Sequence, residues 1–306
     1  MVTDSLVILG PTASGKTDLS IELSKSIDSE IVNCDTSLFY RELSIGTGKP
    51  SDNILNKYKH HLINFLNPDQ EYSLAEFQNE ANVSIENIKL KKKLPILVGG
   101  SGQYLKALIE NWDVSDIKPN KKLRKELGKD IEKNGVDFVY RKLKKDFPEN
   151  AKIIDPKNPR RVIRAYELGL EGKKVSRGVK EESKSFLKIG LTMPRETLYK
   201  RIDERIKKMF QSNWIKEVED LISKGFNKDL NSFSSIGYYE IYDHLVNNLD
   251  LDEAVNLIKK RTRNLVRHQY NWFKLNDPDI KWFDSSKHTV KYISEKILEG
   301  KFDNKF

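Results

Sequence analysis

Four consecutive apolar residues, Leu6-Val7-Ile8-Leu9, stop at Gly10 and predict a short strand buried on both faces. The period then changes. Leu19, Leu23 and Ile27 recur every fourth residue, with Ile21 beside them, as in an amphipathic helix. Two further strand-like runs follow, Glu30-Ile31-Val32-Asn33-Cys34 and Leu94-Pro95-Ile96-Leu97-Val98. Between them Tyr72 to Lys89 has helical spacing (Phe77, Ala81, Ile85, Ile88) and opens with a capping box, Ser73 and Glu76. A short helix is expected from Tyr104 to Ile109. From about Lys118 to Lys184 the apolar residues keep helical spacing (Leu123, Leu127, Ile131; Phe138, Leu143) and no sheet-type strand is visible. Strand character returns over Phe186–Met193, followed by an amphipathic helix through Leu198, Ile202, Ile206 and Met209 and by one long helix from Asp252 to Lys274. This order predicts an α/β fold with a parallel, P-loop NTPase-like sheet flanked by helices. The core would come from residues 1–115 and 186–306, with a helical insertion at 116–185.

Composition narrows the setting more than the function. The 306 residues carry a formal net charge of +9, with 32% charged side chains, so a polyanionic partner is suggested but a solvated lysine-rich surface would look the same. A single cysteine, Cys34, leaves no intrachain disulfide framework and reads as a small strand-core residue. No apolar run approaches the roughly 20 residues of a membrane helix, and Met1–Asp4 leads straight into the first strand without a cleavage pattern. A reducing cytoplasmic setting, no membrane association and a monomer are the expectations.

The candidate chemistry starts at the first strand–helix junction. Gly10-Pro11-Thr12-Ala13-Ser14-Gly15-Lys16-Thr17 is a P-loop in the strand–loop–helix context that the motif requires. Its two glycines let backbone N–H groups turn inward onto phosphate oxygens, and the helix N-terminus adds partial positive charge. Lys16 supplies a full charge, and the Thr17 hydroxyl is a candidate ligand for Mg²⁺. Asp35, just past the second strand, lies where residues at the carboxyl ends of parallel strands face the ligand. It has three possible roles: a carboxylate on Mg²⁺, a general base, or a helix N-cap. Thr36 to Pro50 is polar and glycine-punctuated and reads as a substrate loop. Gly99-Gly100-Ser101-Gly102 would let backbone approach a ligand closely, with Ser101 offering a hydroxyl. Adjacent His60 and His61 lack partners at metal spacing and read as structural, and Lys89–Lys93 as a solvated helix end.

Basic residues gather in two later places. Arg160, Arg161 and Arg164 follow Asn158-Pro159, and Arg161 and Arg164 can share a helix face suited to phosphates or to salt bridges. In the last long helix Lys260, Arg263, Arg267 and Lys274 recur near the helical period as a candidate phosphate-backbone stripe. Tyr270, Trp272 and Phe273 between them would pack in a core or stack on bases.

Taken in order, these residues resemble the bacterial tRNA dimethylallyltransferases. The resemblance rests on Gly10–Thr17; on Asp35-Thr36-Ser37-Leu38-Phe39-Tyr40-Arg41, Ile45-Gly46-Thr47 and Lys49-Pro50; and on His60-His61-Leu62 with Tyr72-Ser73. It continues through Val98–Gly102, Arg161-Val162-Ile163-Arg164-Ala165 with Glu167, Leu198-Tyr199 with Arg201-Ile202, and Gly237-Tyr238. Arg261-Thr262-Arg263, Arg267-His268-Gln269 and Trp272-Phe273 close it. It implies that the P-loop binds dimethylallyl diphosphate with Mg²⁺, and that the prenyl group passes to N6 of adenine 37 in tRNAs reading codons that begin with U. Asp35 would be the base, with Lys16 and Ser101 as further catalytic groups. The anticodon stem-loop would meet Asp35, Thr36, Ser37, Leu38 and Ser101 at the base, and Gln269 would also contact the tRNA. Arg124, Arg160, Arg161, Val162, Ile163, Arg164, Arg263, Arg267 and His268 would meet neighbouring parts, and the insertion would act as a clamp. The chain departs from the family pattern at Thr36 (usually Ser), Ser101 (usually Thr), Lys157-Asn158 (usually Asn-Asp) and His268 (often Arg). Tyr239 stands where Arg or Lys is expected, which removes a charge the family uses on diphosphate. Three rival readings are a P-loop nucleoside or nucleotide kinase, a prenyltransferase acting on free adenine nucleotides, and a non-catalytic RNA-binding protein. The kinase accounts for the first hundred residues but gives no work to the lysine-rich insertion or the basic C-terminal helix.

Overall fold

The computed structural model describes residues 5–176, 178–179 and 185–300. Met1–Asp4 and the end of the lysine-rich stretch, 180–184, lie outside the described residues. The chain divides into two compact units, Met1–Glu110 with Glu182–Phe306, and Asn111–Glu181. The first begins with β1 (Ser5–Leu9), α1 (Lys16–Ser26), β2 (Ser29–Asn33), α2 (Asp52–Lys57), β3 (His60–His61), α3 (Leu74–Leu90), β4 (Leu94–Val98) and α4 (Gly102–Ile109). The second holds α5 (Lys121–Asn134), α6 (Val136–Asp146), α7 (Pro148–Ile153) and α8 (Pro159–Leu170). The first unit resumes with β5 (Phe186–Thr192), α9 (Arg195–Gln211), α10 (Trp214–Ser223), α11 (Tyr238–Asn247), α12 (Leu251–Trp272), β6 (Ile280–Asp284) and α13 (Val290–Leu298).

The six strands are all parallel, in the order β3-β2-β4-β1-β5-β6. Strand alternation sends β1 residues to two cores. Leu6 and Ile8 pack with Leu19 and Leu23 of α1 and Ile293 and Ile297 of α13. Val7 and Leu9 enter a larger core built on α3, α4 and α9 to α12. Burial on both faces explains why these strands are continuous apolar runs rather than alternating ones. Six elements have no counterpart in the sequence reading: α2, β3, α10, α11, β6 and α13. Ile280-Lys281-Trp282-Phe283-Asp284 follows a stretch of turn residues and is a strand because it docks on β5, with Gly190 opposite Trp282. A Cβ on Gly190 would lie 2.3 Å from the Trp282 ring, so the glycine makes room for it. The capping box at the start of α3 is formed in full by Ser73 and Glu76.

The smaller unit is helical and has its own core of Leu127, Val139, Leu143, Ala151, Val162 and Ala165. Its organising charge is Glu167, which is 2% exposed. Arg124 grips this carboxylate with two hydrogen bonds of 2.7 and 2.8 Å, Arg164 adds one of 3.2 Å, and the Asn120 N–H donates at 3.0 Å. Arg164 also donates to the Ile117 carbonyl at 2.9 Å.

His60 and His61 form the short edge strand β3. The His61 ring lies 2.7 Å from Glu30 on β2, whose buried carboxylate also faces Lys91 at 3.3 Å and Lys93 at 3.5 Å. Burial works to raise the Glu30 carboxyl, but hydrogen bonds from His61 and Lys91 bring it below its ordinary value. The histidine is thus one of three groups that make a buried carboxylate tolerable. His61→Ala should lower stability by about 1–3 kcal/mol, read as a lower urea midpoint. A chelator should leave the wild-type midpoint unchanged; a fall would restore a metal role for the histidine pair.

Candidate active site

Three loops converge at the carboxyl ends of β1, β2 and β4. The first is the P-loop. Gly10 takes φ +137°, and a Cβ there would stand 2.3 Å from the Leu191 carbonyl, so β1 passes into the loop against β5 only as glycine. Ala13 and Gly15 also have positive φ, +64° and +95°, which rotates successive peptides of the loop. The Ser14 hydroxyl is fully buried and has no hydrogen-bond partner. Lys16 donates to the Pro11 carbonyl at 2.7 Å. Burial pulls its ammonium down from its ordinary value to about 8, partly opposed by Asp35 and reinforced by Arg205.

The second loop carries Asp35, whose two oxygens divide their work. Oδ1 accepts from the Ser37 N–H at 3.1 Å and caps the turn Thr36–Leu38. Oδ2 faces Gly100: a Cβ on that glycine would lie 3.5 Å from it. The N-cap reading of Asp35 is thus realised by one oxygen, and the residue also lines the cavity. The third loop supplies Ser101, whose hydroxyl accepts from the Thr36 N–H at 3.1 Å and lies 3.3 Å from the Thr36 hydroxyl.

A crosspiece ties these loops together. The Gln269 carboxamide, on α12, accepts from the Thr12 N–H at 2.8 Å and donates to the Gly100 carbonyl at 3.0 Å. Gln269 is 5% exposed, and its carboxamide is held in the framework between the loops. The loops open on a cavity of about 290 Å³ with two kinds of wall. Thr12, Asp35, Thr36, Ser37, Ser101 and Arg205 are polar, whereas Ile202, Ile206, Met209, Trp214, Ile236 and Leu265 are apolar.

Arg205 was missed by the sequence reading. It is half-buried, and desolvation lowers its guanidinium from the ordinary value against the pull of Asp35 and Asp18. The signal was available: Arg205 interrupts the apolar stripe Leu198, Ile202, Ile206, Met209 at a position that faces inward. It also bears on the charge missing at Tyr239, which is exposed on α11 beneath Lys228 (5.0 Å from the ring) and does not line the cavity.

The basic residues sort by burial. Val162 is 0% exposed in the core of the smaller unit and cannot meet a partner, and Ile163 packs partly against that core. The guanidiniums of Arg124 and Arg164 are committed to Glu167. Arg160 and Arg161 are exposed on the first turn of α8, where two cations oppose the helix dipole. On α12 one face lines the cavity through Ile258, Thr262, Leu265, His268 and Trp272, while Lys259, Lys260, Arg263 and Arg267 line an open cleft of about 430 Å³. Arg263 there pairs with Asp203 at 2.8 Å and lies over Tyr199 at 5.3 Å. Tyr270 bonds the Thr192 hydroxyl at 2.8 Å and Phe273 is buried, so core packing claims both; Trp272 borders the cavity. Cys34 is fully buried in the strand core, which pushes its thiol up.

The family of proteins described as IPP transferase matches residues 38–276. The tRNA dimethylallyltransferase of Dictyoglomus turgidum is 40% identical over 295 residues, covering 95% of this chain and 90% of that protein. This chain belongs to the IPP transferase family. A solved full-length tRNA isopentenylpyrophosphate transferase from Bacillus halodurans is 35% identical, with a TM-score of 0.70 over 97% of this chain and 96% of that one. A eukaryotic dimethylallyltransferase acting on tRNA superposes with a TM-score of 0.78 at 26% identity, over 97% of this chain and 80% of that one. The P-loop of this IPP transferase precedes the matched segment, so its assignment rests on its own geometry. Among the described residues no helix is long and apolar enough to cross a membrane.

The IPP transferase offers few metal donors. Among the described residues no group of three His, Cys, Asp or Glu side chains could hold a metal ion. The Thr17 hydroxyl is exposed at the head of α1 beside Asp18. This donor set fits Mg²⁺, which keeps waters and takes phosphate oxygens rather than needing an all-protein cage.

An anion in the P-loop favours the ammonium form of Lys16, which is present below about pH 8 and lost above it. Binding of inorganic diphosphate with Mg²⁺ should therefore weaken as pH rises through about 8. Lys16→Arg, charged throughout that range, should lose the decline. Titration calorimetry across this range gives the profile, and an identical decline in both proteins would remove Lys16 as its cause.

Proposed function

We propose that this enzyme transfers the dimethylallyl group of dimethylallyl diphosphate to N6 of adenine 37 in tRNAs reading codons that begin with U, releasing diphosphate. The two-walled cavity carries this reading. One end is lined by Thr12 of the P-loop, Asp35 and Arg205, with the Lys16 ammonium near enough to feel both charges, and the other wall is apolar. A donor with a charged head and a five-carbon hydrocarbon tail needs both, whereas a kinase transferring a phosphoryl group to a hydroxyl has no use for the apolar half.

The C–O bond to diphosphate breaks as the C–N bond to adenine forms, and negative charge accumulates on the leaving diphosphate. Lys16, Arg205 and the loop N–H groups stabilise that charge in a site already partly removed from water. The buried, unpartnered Ser14 hydroxyl is a further group that a phosphate oxygen would satisfy. Mg²⁺, held by the Thr17 hydroxyl and the diphosphate, would supply further neutralisation of the leaving group. The exocyclic amine is a weak nucleophile, and the base must leave its stack to reach the cavity. Asp35 Oδ2 takes the N6 proton as the bond forms, while Oδ1 stays fixed by Ser37. Thr36, Ser37, Leu38 and Ser101 frame the base. Trp272 is placed to stack on it. Phosphates of the anticodon stem-loop meet Arg160 and Arg161 on the insertion. Lys259, Lys260, Arg267 and His268 on α12 meet others.

Labelled dimethylallyl diphosphate, Mg²⁺ and unmodified tRNA should give labelled tRNA, and replacing adenine 37 by G should abolish it. Label passing instead from γ-labelled ATP to a nucleoside would establish the kinase. Asp35→Ala should lower turnover by about 10²–10⁴-fold while sparing tRNA affinity; lost affinity with normal turnover would refute the base role.

A further inference from the structure

The segment Ser44-Ile45-Gly46-Thr47-Gly48 has no role in the chemistry above, yet much of the core is arranged around it. Glu217, on α10, gives its two oxygens to three successive backbone donors. Oε2 accepts from the Ser44 N–H at 3.0 Å and from the Ile45 N–H at 2.8 Å, and Oε1 from the Gly46 N–H at 3.4 Å. The Tyr238 hydroxyl, from α11, donates to the same Oε1 at 2.6 Å. The other side of the segment is fitted without clearance. A Cβ on Gly46 would stand 2.1 Å from Nε1 of the buried Trp214 indole.

The fixed segment ends on Arg205. The Thr47 carbonyl accepts from the Arg205 guanidinium at 3.2 Å. Gly48, at φ +65°, leaves the room that the guanidinium occupies: a Cβ there would lie 1.9 Å from its terminal nitrogen. Among the described residues no carboxylate forms an ion pair with Arg205, so a backbone carbonyl and the shape of a glycine loop set its direction.

We infer that Glu217, through the Ser44–Gly48 segment, is a positioning residue that aims Arg205 at the leaving diphosphate. A carboxylate bound to three N–H groups is a stiff support, because charge-assisted hydrogen bonds are short and directional. The side chain it serves is a long one whose rotamer freedom must be lost before it can stabilise charge. Glu217 lines no part of the cavity, whereas Gly46 and Thr47 of the segment do, so the segment is the direct route by which it reaches the site. The inference rests on the reading that Arg205 faces diphosphate.

The test is a double-mutant cycle on the full chain, with inorganic diphosphate and Mg²⁺ as the probe in titration calorimetry. Glu217→Ala should raise the diphosphate Kd about tenfold or more and leave the tRNA Kd within about twofold. In an Arg205→Ala background the same change should alter the diphosphate Kd by less than about twofold. Fully additive losses, or an equal loss of tRNA affinity, would overturn the inference. Glu217→Gln keeps an acceptor oxygen for Ser44 and Ile45 and should recover most of the affinity; a Gln variant as impaired as Ala would put the effect in charge rather than position. If Glu217→Ala does not fold, Gly48→Ala displaces the guanidinium while leaving the Glu217 hydrogen bonds in place. It should produce the same selective loss, and unchanged diphosphate affinity in that variant would overturn the inference. Arg205→Ala alone with unchanged diphosphate affinity would instead refute the reading of the cavity beneath it.

Discussion

Two half-buried cations beside one carboxylate form the constraint on which the site depends. Lys16 and Arg205 oppose each other and are both drawn toward Asp35, while desolvation works against the charge of each. Such an arrangement is unfavourable by itself, because buried charge without full compensation costs several kcal/mol of order per ion. An anion bound between them would relieve it, so the same imbalance that costs stability would strengthen the binding of an anion there. The fold carries this cost elsewhere, in a parallel sheet whose two faces are packed by separate apolar cores.

Geometry then has to hold the charges at fixed separation, and one uncharged side chain does much of this. Gln269 joins the N–H of Thr12 to the carbonyl of Gly100, so the C-terminal helix α12 locks the first and third loops together. Substitution of either hydrogen bond by water would leave the loops free to drift. The same helix presents cations to an open cleft through Lys260, Arg263 and Arg267, one or two residues round the cylinder from its cavity face. A helix that lines a cationic cleft on one side therefore also sets the cavity on the other. That division is a consequence of the 3.6-residue period: residues 258, 262, 265 and 269 share a face that 256, 260, 263 and 267 do not.

Elements with a strong local pattern were legible in the sequence. β1, β4 and α12 follow from apolar runs and helical spacing, and the P-loop from its glycines. What was not legible depends on partners distant in the chain. β6 is a strand because β5 receives it, and its tryptophan needs the bare backbone of Gly190. Arg124 reads as a tRNA contact and Arg164 as a phosphate contact or a salt bridge; Glu167, 43 residues beyond Arg124, pairs with both. Arg263 looked equally available, but Asp203 lies 60 residues away in sequence and 2.8 Å away in space. A charge in sequence carries no record of its counter-charge. Val162 is the converse case: it sits in a basic motif, but its helix position turns it into the core.

Arg205 marks the limit between the two kinds of inference. Its helix reads as amphipathic, and a cation on the apolar face of such a helix is costly unless something compensates it. Local pattern thus identifies the residue as anomalous. Only the tertiary structure shows what receives it: the Thr47 carbonyl on one side and the cavity with Asp35 on the other. The apolar neighbours Ile202, Ile206 and Met209 are then not merely core. They keep water away from the guanidinium and, on the same helix face, form the wall suited to a hydrocarbon tail. One helix face therefore lines both the polar and the apolar part of the cavity, with Arg205 set between Ile202 and Ile206.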